Sequence, residues 1–335
     1  MPAMSQQSET LVIDVDTGID DALALLYACA EPRARFLGVS TVVGNVSLAA
    51  ATRNTRAVLA LAGRSDIPVW PGASTPLSNF AADARAVHGE TGLGYAALPE
   101  PPEPPQIAHA VDALVGVAHA HAGQLVLVAT GPLTNIALAV MREPELPRLL
   151  KRFVIMGGAY REPGNVTPSA EFNIWHDPEA ARIVFRAFGG PGGAPVMAIG
   201  LDVTLKATLD PADIAAIRAR SGEKPHAAAL TRFIDEAARY YFDRMEKRSG
   251  RRVLVMHDPL ALAVALDPTL VATRRVAVDV ETAGRLTLGA TVADWRGDWG
   301  RLANSEVAVT VDAERFRKAF SDAMARLAGD GRAGS

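Results

Sequence analysis

The sequence predicts a single α/β domain: an open, mostly parallel central sheet flanked by helices, with a small β appendage late in the chain. Three observations predict it. Apolar runs of strand length alternate with stretches of strong helix formers from Leu11 to Leu266. Several of these runs end in a turn containing glycine and a polar residue, the junction of a βα unit. After Leu266 the alternation gives way to short apolar segments read as strands. The domain is expected over residues 9–328, with flexible tails at 1–8 and 329–335.

The first unit is Leu11 to Leu26, LVIDVDTGIDDALALL. Leu11-Val12-Ile13 reads as a buried strand and Ala22 to Leu26 as a helix. Phe36 to Val43 is a second strand, with Gly44-Asn45-Val46 turning into a helix over Leu48 to Leu61. Ile67 to Trp70 is a short strand. Val87 to Gly94, VHGETGLG, is a glycine-rich loop carrying His88, and Pro99 to Pro105 is a stiff connector. A helix over Ala108 to Ala122 carries His109, His119 and His121, which fit surface or packing roles. Leu125 to Ala129 and Phe153 to Met156 are strands that end in Thr130-Gly131 and Gly157-Gly158.

Asp177-Pro178 starts the next helix, with Asp as its cap and Pro in its first turn. Pro195 to Gly200 is a strand. Ala212 to Ala219 and Ala227 to Met245 are helices, the second bearing Tyr240 and Tyr241. His257-Asp258-Pro259 opens a helix to Leu266. Val276 to Val280, Arg285 to Leu288, Thr291 to Ala293 and Val307 to Val311 read as short strands, and a last helix covers Ala313 to Leu327.

With 335 residues, 49% of them apolar and 21% charged, the chain can bury a large core. A net charge of −3 with no basic run gives no footprint for nucleic acid. A single cysteine, Cys29, excludes an internal disulfide and a structural zinc site of the cysteine type. The polar start MPAMSQQSET lacks the apolar region of a signal peptide, and no apolar run reaches the roughly 20 residues of a membrane span. A cytoplasmic location is the expectation.

The chemistry gathers where strands end, because open α/β sheets bind ligands in the crevice at that edge. Asp14, Asp16, Asp20 and Asp21 fall within one strand–turn–helix junction. Carboxylates so close raise one another's pKa. The helix dipole offsets roughly 0.3–1 kcal/mol of that for Asp20 and Asp21, too little for four charges. A hard divalent cation with oxygen ligands would balance them. The other reading is a capping aspartate with solvated loop acids. Asn45, Thr130, Met156, Asn165, Glu171, Asn173 and His257-Asp258 stand at or just past other strand ends. Glu171 and Asn173, two apart, would point to one side of an extended segment.

DVDTGIDD, TGPLTNIA, VIMGGAY, GNVTPSAEFNIWHDPEAA and MHDPLA together resemble the nucleoside hydrolases, the inosine–uridine-preferring N-ribohydrolases, in the family's order and over nearly the whole chain. Thr17 departs from the pattern, many members having Pro there. The resemblance implies Ca²⁺-dependent hydrolysis of the N-glycosidic bond of ribonucleosides, giving free base and ribose. It implies Ca²⁺ held by Asp16, Asp21, the Thr130 carbonyl and Asp258, with Asp14 in support. Asp20 and Asn173 would bind the 2′ and 3′ hydroxyls, Asn165 and Glu171 the 5′ hydroxyl, and Asn45 and Met156 the floor of the sugar site. His88 and Tyr241 would meet the base.

Asp16 would take the proton of the attacking water. His257, near its ordinary pKa of about 6.5, would protonate or hydrogen-bond the leaving base. A homodimer or homotetramer is also implied. Two other readings stand beside this one. Asp14-Val15-Asp16-Thr17 is similar to the start of haloacid-dehalogenase-like phosphatases, although Gly18 replaces the expected Thr or Val. A non-catalytic ribose or nucleoside sensor on the same fold would keep the sugar contacts without turnover.

Overall fold

β1 (Glu9–Val15) lies inside an eight-stranded sheet in the computed structural model of the chain, which describes residues 8–77, 84–101, 108–222 and 224–329. Its neighbours are β2 (Ala34–Thr41) and β4 (Leu125–Ala129), both parallel to it. β3 (Val69–Pro71) flanks β2. On the other side follow β5 (Leu150–Met156), β6 (Val196–Ile199), β12 (Ser305–Val311) and β9 (Val271–Val276), giving the order β3-β2-β1-β4-β5-β6-β12-β9. Only β9 pairs antiparallel within this sheet. Two short antiparallel pairs stand apart from it: β7 (Thr208–Leu209) with β8 (Leu254–Val255), and β10 (Val278–Val280) with β11 (Thr291–Ala293).

Both faces of the sheet are covered, so its strands are apolar on both sides. Leu11, Ile13 and Val15 point into one core, shared with the helices Ile19–Ala30, Pro225–Ser249, His257–Leu266 and Ala313–Gly329. Val12 points the other way, with Leu127 and Phe153, toward the helices Ala110–Ala120, Thr134–Arg142 and Pro178–Ala187. The His257–Leu266 helix is buried from Asp258 to Leu266, which accounts for its lack of a polar stripe.

The strand order reverses at β1: the chain leaves it toward β2 and β3, then returns to β4 on its other side. A crevice opens at such a reversal. Asp14, Asp16 and Thr130 stand there, at the ends of β1 and β4.

Several elements differ from expectation. Val307 to Val311 belongs to the central sheet, where a parallel partner in β6 and an antiparallel one in β9 satisfy its backbone. Val276 to Val280 is divided between β9 and β10. Arg285 to Leu288 is a turn, so the appendage reduces to the β10–β11 hairpin. The helix expected over Ala108 to Ala122 is shorter because His109 is its cap, accepting from the Val111 N–H at 3.3 Å. Residues 102–105 of the stiff connector lie outside the described residues. No helix among the described residues is long and apolar enough to cross a membrane.

Candidate active site

A cavity of about 500 Å³ opens at the carboxyl edge of the sheet. Asp20, Asn45, His88, Thr130, Met156, Asn165, Glu171, Asn173, Tyr241, His257 and Asp258 all line it. Asp14, Asp16 and Asp21 lie behind this lining, with no exposed surface.

Backbone conformation places the acids. Gly18 precedes the Ile19–Ala30 helix, and a side chain there would meet His88 Nδ1 at 2.5 Å and Asn45 Nδ2 at 2.9 Å. Gly44 allows Asp16 an equally close approach, since a Cβ there would fall 2.0 Å from Asp16 Oδ2. The Asn45 N–H donates to that same oxygen at 2.6 Å. Asp21 uses both oxygens: Oδ2 accepts from the Gly18 N–H at 2.9 Å and from Asn45 Nδ2 at 3.2 Å, and Oδ1 accepts from Thr130 Oγ1 at 2.7 Å. Asp14 accepts from Ser40 Oγ at 2.5 Å and Asn135 Nδ2 at 2.8 Å.

The cluster is electrostatically incomplete. Burial pushes Asp14 and Asp20 up to about 7, with the charge of Asp21 adding to it for both. Asp16 and Asp258 are driven well above the carboxylate range by burial and by their acidic neighbours, and burial also raises Asp21. Asp14 Oδ2, Asp16 Oδ1 and Asp20 Oδ1 are buried without a hydrogen-bond partner. The Asp20 and Asp258 carboxyl groups stand at close range, and the charge of Asp20 raises the cost of ionising Asp258. Ligand oxygens of Asp20, Asp21 and Asp258 all lie within 4.8 Å of one another. All are hard oxygen donors, so the cluster fits a hard divalent cation, whose charge would offset theirs.

This grouping includes Asp20, which was expected at the sugar, and leaves Asp16 beside it. The Thr130 carbonyl, expected as a metal ligand, accepts from Asn173 Nδ2 at 2.7 Å. The same amide nitrogen donates to the Met156 carbonyl at 3.0 Å. Two carbonyl partners fix which end of the amide is nitrogen, leaving its oxygen for another donor.

Glu171 and Asn173 do not share an extended segment. They open a short helix, Phe172–His176, that Glu171 caps by accepting from the Asn173 and Ile174 N–H groups at 2.9 and 3.2 Å. The Gly158 N–H reaches Glu171 Oε2 at 3.0 Å, and Asn165 Oδ1 accepts from the Phe172 N–H at 2.9 Å. One-turn caps of this kind leave no hydrophobic periodicity, so the sequence gives no sign of them.

Both histidines at the cavity are neutral at physiological pH. His88 Nδ1 accepts from the Ile19 N–H at 3.0 Å, so its proton is on Nε2; burial, with the charges of Arg244 and His257, pushes it down to about 3. His257 Nδ1 meets Thr204 Oγ1 at 2.8 Å, and burial pushes it down to about 4, not the ordinary value expected of it. Tyr241 is buried, its hydroxyl raised above the usual tyrosine value by burial and by Asp20. Tyr240 lines no part of this cavity and packs edge-on against Tyr95, ring centroids 5.0 Å apart.

Phe172, Trp175, Leu205, Arg244, Met245, Arg248 and Val255, not expected from the sequence, also line the cavity. Tyr241, Arg244 and Arg248 recur at helical spacing on one face, a signal that was there to be read. Leu205 and Val255 carry none.

The match to known proteins decides the family. The model of the inosine-uridine preferring nucleoside hydrolases matches residues 11–318. The chain belongs to this family. It is 38% identical over 319 residues to the inosine-uridine preferring nucleoside hydrolase of Crithidia fasciculata, covering 95% of this chain and 98% of that one. It is 39% identical over 317 residues to the pyrimidine-specific ribonucleoside hydrolase RihA of Enterobacter sp. (strain 638), again covering 95% and 98%. The solved purine-preferring ribonucleoside hydrolase from Gardnerella vaginalis superposes with a TM-score of 0.88 at 34% identity, over 96% of this chain and all of that one. As a nucleoside hydrolase the chain is an N-glycosyl hydrolase. The phosphatase and sensor readings find no support in these matches.

Proposed function

We propose that this nucleoside hydrolase is a Ca²⁺-dependent ribonucleosidase that releases free base and ribose. The observation that carries the reading is the buried carboxylate cluster, with its orphaned oxygens, beneath a cavity lined by amides and two histidines. Asp16, Asp21, Asp258 and the Thr130 carbonyl would hold Ca²⁺, with Asp20 close by and Asp14 in support. When bound, Ca²⁺ supplies hard Lewis acidity that holds water and sugar oxygens and lowers the pKa of that water.

The residues then divide the work. Asp16, its Oδ2 pinned by the Asn45 N–H, takes the water's proton on its unpartnered Oδ1. Asp20 and the free amide oxygen of Asn173 bind the 2′ and 3′ hydroxyls, while Asn165 and Glu171 hold the 5′ hydroxyl. Asn45 and Met156 floor the sugar site. As the bond breaks, the sugar becomes oxocarbenium-like and the base gains negative charge. His88 and Tyr241 contact the base. His257 supports its departure by hydrogen bonding through Nε2, the ring nitrogen that Thr204 leaves free. The enzyme is read as cytoplasmic and as a homodimer or homotetramer, which sedimentation will distinguish.

Reducing-sugar release from inosine, adenosine, guanosine, uridine and cytidine tests the reading, with Ca²⁺ and after prolonged chelation. Release that chelation abolishes and Ca²⁺ restores is the expected result. Release untouched by chelation would remove Ca²⁺ from the account.

A further inference from the structure

The β10–β11 hairpin belongs to neither the central sheet nor the cavity lining, yet it grips the segment that carries the sugar-binding residues. That segment runs from Gly157 to His176 and includes Asn165, Glu171 and Asn173. Thr291, the first residue of β11, is buried. Its hydroxyl accepts from the Ala159 N–H at 3.0 Å and donates to the Ala159 carbonyl at 2.9 Å. One side chain thus satisfies both backbone groups of a buried residue, as a strand partner would.

Ala159 adjoins Gly158, whose N–H holds Glu171 Oε2 at 3.0 Å. The far end of the segment is gripped as well. Ser169 Oγ donates to the Leu286 carbonyl at 2.9 Å. Gly289, at φ +79°, lies so close to the short helix that a side chain there would meet Trp175 Cα at 2.6 Å. Trp295 Nε1 reaches the Tyr160 carbonyl at 3.4 Å, and the Arg161 guanidinium lies 4.1 Å from the centre of the Trp295 ring.

We propose that the hairpin is a brace for the 5′ end of the sugar site, and that Thr291 is a positioning residue acting through Ala159 and Gly158 on Glu171. The inference rests on the assignment of Glu171 and Asn165 to the 5′ hydroxyl. No residue of the hairpin lines the cavity. Its effect is to fix where the Glu171 carboxylate stands.

Thr291→Val keeps the shape and removes both hydrogen bonds, leaving a buried N–H and C=O unpaired. The test compares kcat/KM for inosine and for 5′-deoxyinosine, because the ratio is independent of the fraction of enzyme folded. Wild type should favour inosine. In Thr291→Val, kcat/KM for inosine should fall about tenfold, with a smaller fall for 5′-deoxyinosine, so that the ratio contracts toward one. Thr291→Ser, which keeps the hydroxyl, should recover most of the ratio.

An unchanged ratio in Thr291→Val, or Ser no better than Val, overturns the brace and leaves the sugar assignment standing. A wild type that handles both substrates equally overturns the 5′ assignment and the brace with it.

Discussion

In the proposed mechanism Asp16 and His257 divide two kinds of work between them. Asp16 keeps one carboxylate oxygen tied to backbone and the other unpartnered, the arrangement of a base held in place. Asp16→Ala should cut turnover on every nucleoside to near background, a loss of about 10²-fold or more. His257 is neutral, so its contribution depends on how much help the departing group needs. His257→Ala should reduce kcat for inosine and uridine far more than for p-nitrophenyl riboside, whose leaving group needs no proton. Equal losses on both substrates would remove the leaving-group role.

The turn into the first helix is the element on which the site depends. Gly18 lies against His88 and Asn45 with no room for a methyl group. Gly18→Ala must displace one of these side chains. The expected result is a stable protein with weakened hydrolysis: a thermal midpoint within a few degrees of wild type and a clearly lower kcat/KM. A large drop in the midpoint with activity intact would reverse the assignment of this glycine from site to scaffold. The Pro225–Ser249 helix serves the other side of the cavity, presenting Tyr241, Arg244 and Arg248 on one face.

At the scale of the whole molecule, the ends of the fold meet at Glu31. Its carboxylate, almost fully covered, takes Arg33 Nε at 2.9 Å and lies 3.6 Å from Arg326 of the last helix. Although burial alone would raise it, the hydrogen bond and charge of Arg33, joined by Arg326, hold Glu31 below its usual pKa. A depressed folded pKa means that this stabilisation is present above the unfolded value, near 4.5, and is lost as pH falls through the lower folded value. Both arginines are partly exposed, so Glu31→Gln should cost about 0.5–1 kcal/mol at pH 7. Urea denaturation of both proteins should show that difference shrinking under acid conditions. A difference that grew on acidification would contradict the sign.

Much of this was legible in the residues themselves. Continuous apolar runs ending in Gly-polar turns mark buried parallel strands because helices on both faces leave no solvent side. The residues carrying the site cluster at those ends, where backbone groups are freed from the ladder. Asp14 to Asp21 was readable as well: four acids in one strand–turn–helix junction have few stable environments without a cation. Tertiary structure decided what depends on residues distant in sequence. Asn173 is oriented by carbonyls of Thr130 and Met156, and His257 is kept neutral by its enclosure. Val307 to Val311 joins the central sheet because β6 and β9 supply its hydrogen bonds. The hairpin finds its place through a hydroxyl 132 residues along the chain from the backbone it holds. Local pattern records what a residue needs, whereas its partner is chosen only when the chain closes around it.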